Sequence, residues 1–519
     1  MVFPEWTEIQ IYEQNAIQFL RLNQLRDHIN EILFPYLITI TPYFRMVSWL
    51  AWVFTRLEEE MRSSTEMNIR EYVNKSLRYY GILATADILY SKAKRTYHRG
   101  PIGVRTLENK LDLLRGDIVN YNHPSFGRPL DPTPIYRSSL VAMKLFEERQ
   151  QPISPRRFLS ILIPTERGKK LARTFEDKWS GLVSPRNFTV KIKWKTALLR
   201  KLGKLIDLQG LSPKDEESKL LQDAARSSMK YPEIYDDFVD IAVETVTKSD
   251  ERGFKVFSSN IAKAALYRAI TLEEEKTIPI KLKDTQAAAL LAYHELHTHM
   301  AFGADAILNG LVNLSKGRFT GISKRKILTE SSKFLAKITK SERLVGNLYK
   351  KIKRSFRSYT GKYQIGYPRS FGRFGFESTR ERIINSEDYF EQIAFGGIIL
   401  LQSAVCQDFF KPKWMTRILP YHRKVFSAYT LLEEYQSLPS GAVPRDWLEA
   451  TIDLIIQNHD DVANSKGLYA KRFDCRDGRL FYRADAEFGE QRGRLINAVL
   501  WLSDIGIIGI DQGLFTVSG

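Results

Sequence analysis

The chain has 519 residues, 43% of them hydrophobic and 27% charged, a composition that leaves little room for long disordered stretches. One core does not organise that length, so about two to four domains are expected. Lys and Arg total 78 against 60 for Asp and Glu, a net charge of +18 that suits a polyanionic partner. Two isolated cysteines, Cys406 and Cys475, exclude a disulfide framework or a zinc knuckle and point to a reducing, cytoplasmic setting.

Residues 1–117 read as an N-terminal helical domain. The first ten carry Glu5 and Glu8 and no basic-then-apolar leader, so no signal peptide is expected there. Apolar spacing predicts a helix over 9–33, stopped at Pro35, a second over 42–62 with Pro42 in its first turn, and a third over 66–94. The apolar stretch 33–54 invites a membrane reading. Pro42 and Arg45 interrupt it, and a mid-span arginine is costly. An extended segment at 38–41 leading into a core helix is expected, with no membrane partner.

Residues 118–186 follow as a winged-helix-like domain. Its proline-rich segment 120–134 reads as a loop, and a helix over 138–150 and a strand over 158–164 come next. Another helix begins after Thr165, whose hydroxyl suits an N-cap. Residues 187–440 read as a central helical domain with its longest helix over 284–314 and no fixed-period repeat. Residues 441–519 form a C-terminal helical segment. It holds an amphipathic helix over 491–504 and a terminal β-hairpin pairing 507–510 with 514–517. That hairpin is either a second winged-helix-like piece or a plain core-closing one, with the second preferred. The expected fold class is mostly α and multidomain, with small winged-helix-like α+β pieces.

The most informative functional signal spans 349–376. Lys350, Lys351, Lys353, Arg354, Arg357, Lys362, Arg369 and Arg373 are interleaved with Phe356, Tyr359, Tyr363, Tyr367, Phe371 and Phe374, and no acidic residue interrupts them. Cations contact phosphates and aromatic faces stack bases, so the pattern suits nucleic acid. A basic surface helix followed by an aromatic-anchored loop would read the same way. Lys191, Lys193 and Lys195 alternate with Val190, Ile192 and Trp194, as on a strand with a basic face. That face fits either a phosphate backbone or a lysine-guarded sheet edge. A third patch gathers Lys92, Lys94, Arg95, His98, Arg99 and Arg105.

Catalytic motifs are harder to find. His294, His297 and His299 lack the spacing that puts zinc ligands on one helix face, and read as interior histidines. Asp236, Asp240 and Glu244 share a helix face and could hold Mg²⁺, but a solvated acidic face explains them as well. His459-Asp460-Asp461 is similar to the His-Asp pair of metal phosphohydrolases, without assignable further ligands. There is no P-loop, no G-x-S-x-G elbow and no Cys-x-x-Cys, and His422-Arg423-Lys424 lacks the following Asp of a phospholipase-D-type nuclease. No cofactor is expected.

Leu33-Phe34-Pro35, Ile38-Thr39-Ile40-Thr41, Tyr43-Phe44-Arg45 and Trp49 resemble the N-terminal signature of an uncharacterised prokaryotic family. Its genes lie beside helicases and nucleases in phage-defence islands. The similarity is confined to this region, and Tyr36 stands where that family usually has glycine. The resemblance implies an accessory DNA-binding or scaffold subunit and no catalytic residue. The function expected is therefore a non-catalytic nucleic-acid-binding subunit, with DNA before RNA, acting beside other protein subunits such as a nuclease or helicase. The alternatives are a metal-dependent nuclease built on Asp236 and Asp240 or on His459 and Asp460, and a helical protein–protein scaffold.

Overall fold

The computed structural model describes residues 20, 22–37, 43–63, 69–91, 107, 117–121, 132–154, 157–190, 193–253, 256–271, 277–339, 342–357, 376–408, 425–466, 471–486, 494–511 and 514–517. The fold is mostly helical, with only small antiparallel sheets among the described residues. The chain forms two compact units, each assembled from stretches distant in sequence. The first comprises Leu33–Ser258 and Gly493–Gly519, the second Met1–Ile32 and Ser259–Arg492. Neither coincides with any one of the four consecutive segments outlined above. The first described helix, α1 (Leu22–Leu33), stops just short of Pro35, as expected.

In the first unit, α2 (Met46–Ser63) packs on α3 (Ile69–Ser91). The paired strands β1 (Ile118–Asn120) and β4 (Lys193–Lys195) flank a helix–hairpin–helix passage, α4 (Thr133–Ala142), β2 (Phe146–Ser154), β3 (Arg157–Pro164) and α5 (Glu166–Asp177). Thr165 caps α5 by accepting from Gly168 N, as its sequence position predicts. The helix expected over 138–150 is corrected: α4 ends at Ala142, Lys144 turns the chain with φ 55°, and 146–154 pairs with β3. Glu147 to Gln151 favour helix locally, but antiparallel pairing with the apolar Arg157–Pro164 strand overrides that preference.

Val190 lies on the short helix α6 (Pro185–Val190), so the strand expected from residue 190 starts later. Next come α7 (Thr196–Ile206), α8 (Glu216–Ser228) and α9 (Glu233–Asp250). Then α18 (Arg494–Asp504) and the hairpin β10 (Ile508–Asp511)/β11 (Leu514–Val517) close the unit. Phe515 bridges to Val256, so this hairpin closes a core.

The apolar stretch at 33–54 is the hub of this core. Its segment 38–41 lies outside the described residues. Phe44 stacks on Trp501 at 4.1 Å, and its amide donates to Asp504 Oδ2 at 2.7 Å. Burial raises the Asp504 carboxyl well above the usual range. The Arg45 guanidinium grips Glu217 with two 3.1 Å hydrogen bonds and donates to the carbonyls of Leu205 and Asp207. Lys178 reaches the same carboxylate at 2.9 Å. Burial alone would raise the Glu217 pKa, but Arg45 and Lys178 overcome it and hold the carboxyl below its ordinary range. Trp49 Nε1 donates to Ile206 O at 3.2 Å. The arginine that argues against a membrane span from sequence is thus a buried, four-bond structural cation.

The second unit is built around α11 (Gln286–Ser315), 30 residues long and buried along most of its length. Before it lie α10 (Ser258–Tyr267) and the hairpin β5 (Ala269–Thr271)/β6 (Thr277–Pro279). After it come β7 (Ile322–Ser323), α12 (Lys324–Thr339), α13 (Val345–Arg357), α14 (Phe376–Asn385), α15 (Tyr389–Gln407), α16 (Ala428–Ser437) and α17 (Pro444–Lys466). α11 crosses α15 through glycines. A Cβ on Gly396 would lie 2.8 Å from the Gly303 carbonyl, and one on Gly303 would lie 2.8 Å from the Ile399 side chain. Helices α12, α13, α14 and α16 all pack on α15. Among the described residues α15 alone is long and apolar enough to cross a membrane, yet 78% of it is buried inside the fold, as befits a core helix.

A three-stranded sheet joins β7 to β9 (Arg479–Tyr482) and β8 (Phe473–Arg476). The β8/β9 hairpin falls in a segment expected to be helical. Its turn is Asp477-Gly478, with φ 50° and 67°, the two-residue turn that most strongly marks a hairpin in sequence.

Candidate nucleic-acid interface

Helix α13 sorts its residues sharply. Val345, Leu348, Tyr349 and Ile352 are buried, while Lys350, Lys351 and Arg354 are exposed and Lys353 is half-buried. The spacing of three and four that builds the apolar stripe throws the cations onto the opposite face. Lys351 pairs with Glu342 at 3.3 Å, and Lys353 pairs with Asp408. Lys350 and Arg354 have no acidic partner among the described residues. Arg357 is the last residue of α13, and its side chain lies outside the described residues, as do Tyr359, Lys362, Tyr363, Arg369 and Arg373.

Both ends of the basic–aromatic run are structural. Tyr349 stacks on Tyr435 at 4.0 Å, and its hydroxyl donates to Asp408 Oδ2 at 3.3 Å. Burial and Asp408 push that phenol up. Phe376, on α14, is buried against the His299 ring at 4.3 Å. These rings are core, not stacking platforms.

Neighbouring helices extend the charge. On α12, Arg325, Lys326, Lys333 and Lys337 are exposed, and only Lys333 has an acidic partner among the described residues, Glu330 at 2.8 Å. On α14, Arg382 is exposed and lies over the Phe395 ring at 5.5 Å. Lys337 and Arg382 line a cleft of about 220 Å³ with Phe334, Ile338, Phe395 and Glu391. Since α12, α13 and α14 all rest on α15, one buried helix holds all these cations within a single unit.

The cations of α12 are not among the expected binding residues, although the helix lies in the segment 187–440 expected to be helical. Their signal is residues 316–326, which hold Lys316, Arg318, Lys324, Arg325 and Lys326 around Phe319 with no acid between them.

The other candidates separate. Lys193 and Lys195 are exposed on β4 on either side of the fully buried Trp194, so the alternating strand is present, in the first unit. Lys191 and Arg99 lie outside the described residues.

Of the carboxylate and histidine candidates, Asp236, His459, His297 and His299 have protein partners. Asp236 pairs with Arg226 at 2.8 Å. His459 is fully buried, stacks on Phe473 at 4.4 Å and accepts the Arg472 amide on Nε2 at 2.9 Å. Burial pushes its pKa down, so a neutral, acceptor-bearing ring fits the site. His297 Nε2 donates to Leu22 O at 2.7 Å, and burial lowers its pKa to about 4. His299 Nε2 lies 3.2 Å from both Glu295 Oε1 and the Tyr267 hydroxyl. No cluster of three or more metal-ligating side chains occurs among the described residues.

No protein-family model, curated protein or solved structure matches the chain.

Proposed function

We propose that the protein is a non-catalytic nucleic-acid-binding subunit, for DNA before RNA, that works beside a separate nuclease or helicase. The observation that carries this reading is the exposed cationic face of α13, continued by Arg325, Lys326 and Lys337 on α12 and Arg382 on α14. Surface cations release counterions from a phosphate backbone when they bind it. The partner enzyme is inferred from the N-terminal resemblance. The helix–hairpin–helix passage 133–177 is a winged-helix-like element in this reading. The nuclease alternative built on His459 is weaker because that ring is buried and already accepts the Arg472 amide.

Fluorescence anisotropy of labelled oligonucleotides tests the proposal. A few phosphate contacts predict a roughly hundred-fold loss of affinity between about 50 and 200 mM salt. Absent binding at low salt, or an affinity indifferent to salt, would overturn it.

A further inference from the structure

Phe319 is 104% exposed, whereas no other large apolar side chain among the described residues exceeds the 62% of Ile384. Covering a phenylalanine stabilises a fold, and none of that is gained here. Nor does the ring sit on a slack loop. The turn runs from Gly317, with φ +69°, to Gly321, with φ +64°, and Gly321 N donates to Arg318 O at 3.0 Å. Arg479 on β9 donates to Thr320 O at 2.7 Å and to Gly321 O at 3.2 Å. Gly321 lies so close to β9 that a Cβ would stand 2.7 Å from Leu480 O. The fold fixes this turn from behind and holds the ring outward.

The surroundings state the partner's charge. Arg318, Arg325 and Lys326 are exposed and have no acidic partner among the described residues. The first turn of α12 carries Lys324, Arg325 and Lys326 and no acid, at the helix end that repels positive charge; Lys324 is met by Asp453 and Glu449, which leaves Arg325 and Lys326 uncompensated among the described residues. An external anion relieves that repulsion. A projecting aromatic ring among uncompensated cations fits unpaired bases joined by phosphates, because every base has a stackable face. A duplex offers such a face only after its own stacking is broken.

We propose that Phe319 is a base-stacking residue for single-stranded nucleic acid, with Arg318, Arg325 and Lys326 holding the adjacent phosphates. The inference rests on the nucleic-acid-binding reading and adds the strandedness and the contact point.

The experiment uses the full chain and a single-stranded oligonucleotide carrying aminopurine, whose fluorescence falls on stacking. Wild type, Phe319→Ala and Phe319→Trp are compared by anisotropy, aminopurine quenching and thermal melting. The expected result is quenching by wild type, roughly ten-fold weaker binding with no quenching for Phe319→Ala, and recovery in Phe319→Trp, all three melting alike. If Phe319→Ala binds and quenches as wild type does, this inference falls while the broader reading stands. If wild type shows no salt-sensitive binding at all, both fall. A lower melting point for Phe319→Ala would mark the ring as packed and overturn the assignment. Phosphatidylserine vesicles are titrated beside the oligonucleotide; a loss confined to them, with oligonucleotide binding intact, would also overturn it.

Discussion

In the first unit Arg45 is fully buried, and the fold surrounds it with the Glu217 carboxylate and two backbone carbonyls. On α13 of the second unit, Lys350 and Arg354 carry the same charge into solvent with no acid opposite them among the described residues. A buried cation must be neutralised within the protein, because desolvation costs more than an incomplete set of partners returns. An exposed cation is hydrated, so its partner can be external. A sequence count of basic residues adds the two kinds together, and only their environment separates structure from binding.

Mutation of each kind tests that separation. Arg45→Ala should have the largest effect. It leaves Glu217 buried with Lys178 alone and should lower stability by about 3–5 kcal/mol in chemical denaturation. A loss below about 1 kcal/mol would mean that Arg45 is not the hub described.

Second in size is His297, a basic group that the fold keeps neutral. Its folded pKa of about 4 lies below the ordinary 6.5, so the unfolded chain takes up the proton first as pH falls. The stability it confers is complete above about pH 6.5 and disappears on descent to about pH 4, some 3 kcal/mol in all. His297→Gln should flatten the stability profile across that window relative to wild type. Parallel profiles would contradict the assignment.

Reversing Lys350 and Arg354 together to Glu should move binding and not stability. We expect at least roughly ten-fold weaker oligonucleotide binding and a salt dependence shallower by roughly one and a half in log–log slope. Melting should stay within about 0.5 kcal/mol of wild type. The smallest effect is expected on β4. Lys193→Thr with Lys195→Thr should change affinity by less than about three-fold while raising light scattering, because the lysines guard a sheet edge. A larger drop in affinity would place that strand among the binding elements.

The sequence made some of this architecture legible and hid the rest for identifiable reasons. Pro35 and Thr165 mark helix ends by backbone chemistry that tertiary context rarely changes, and both do so here. The residues 147–151 mislead because strand pairing, not local preference, decides their state. Asp477-Gly478 announces its hairpin plainly, but the strands it joins are short and lie in helical surroundings. At the candidate interface the basic run places Lys350, Lys351 and Arg354 on the exposed side of α13, with Ile352 buried beneath them. Phe319 is different: one aromatic among five cations looks like ordinary surface until its exposure is known. Arg45 shows the opposite limit, since nothing local identifies Glu217, 172 residues away, as its partner.

The backbones of α11 and α15 meet directly at Gly303 and Gly396. Where two backbones meet with no side chain between them, their spacing has no soft adjustment, so α15 is a stiff keel for the helices laid along it. The outward residues of α12, α13 and α14 can then be exchanged without disturbing the frame that carries them. Gly303 and Gly396 themselves must stay small.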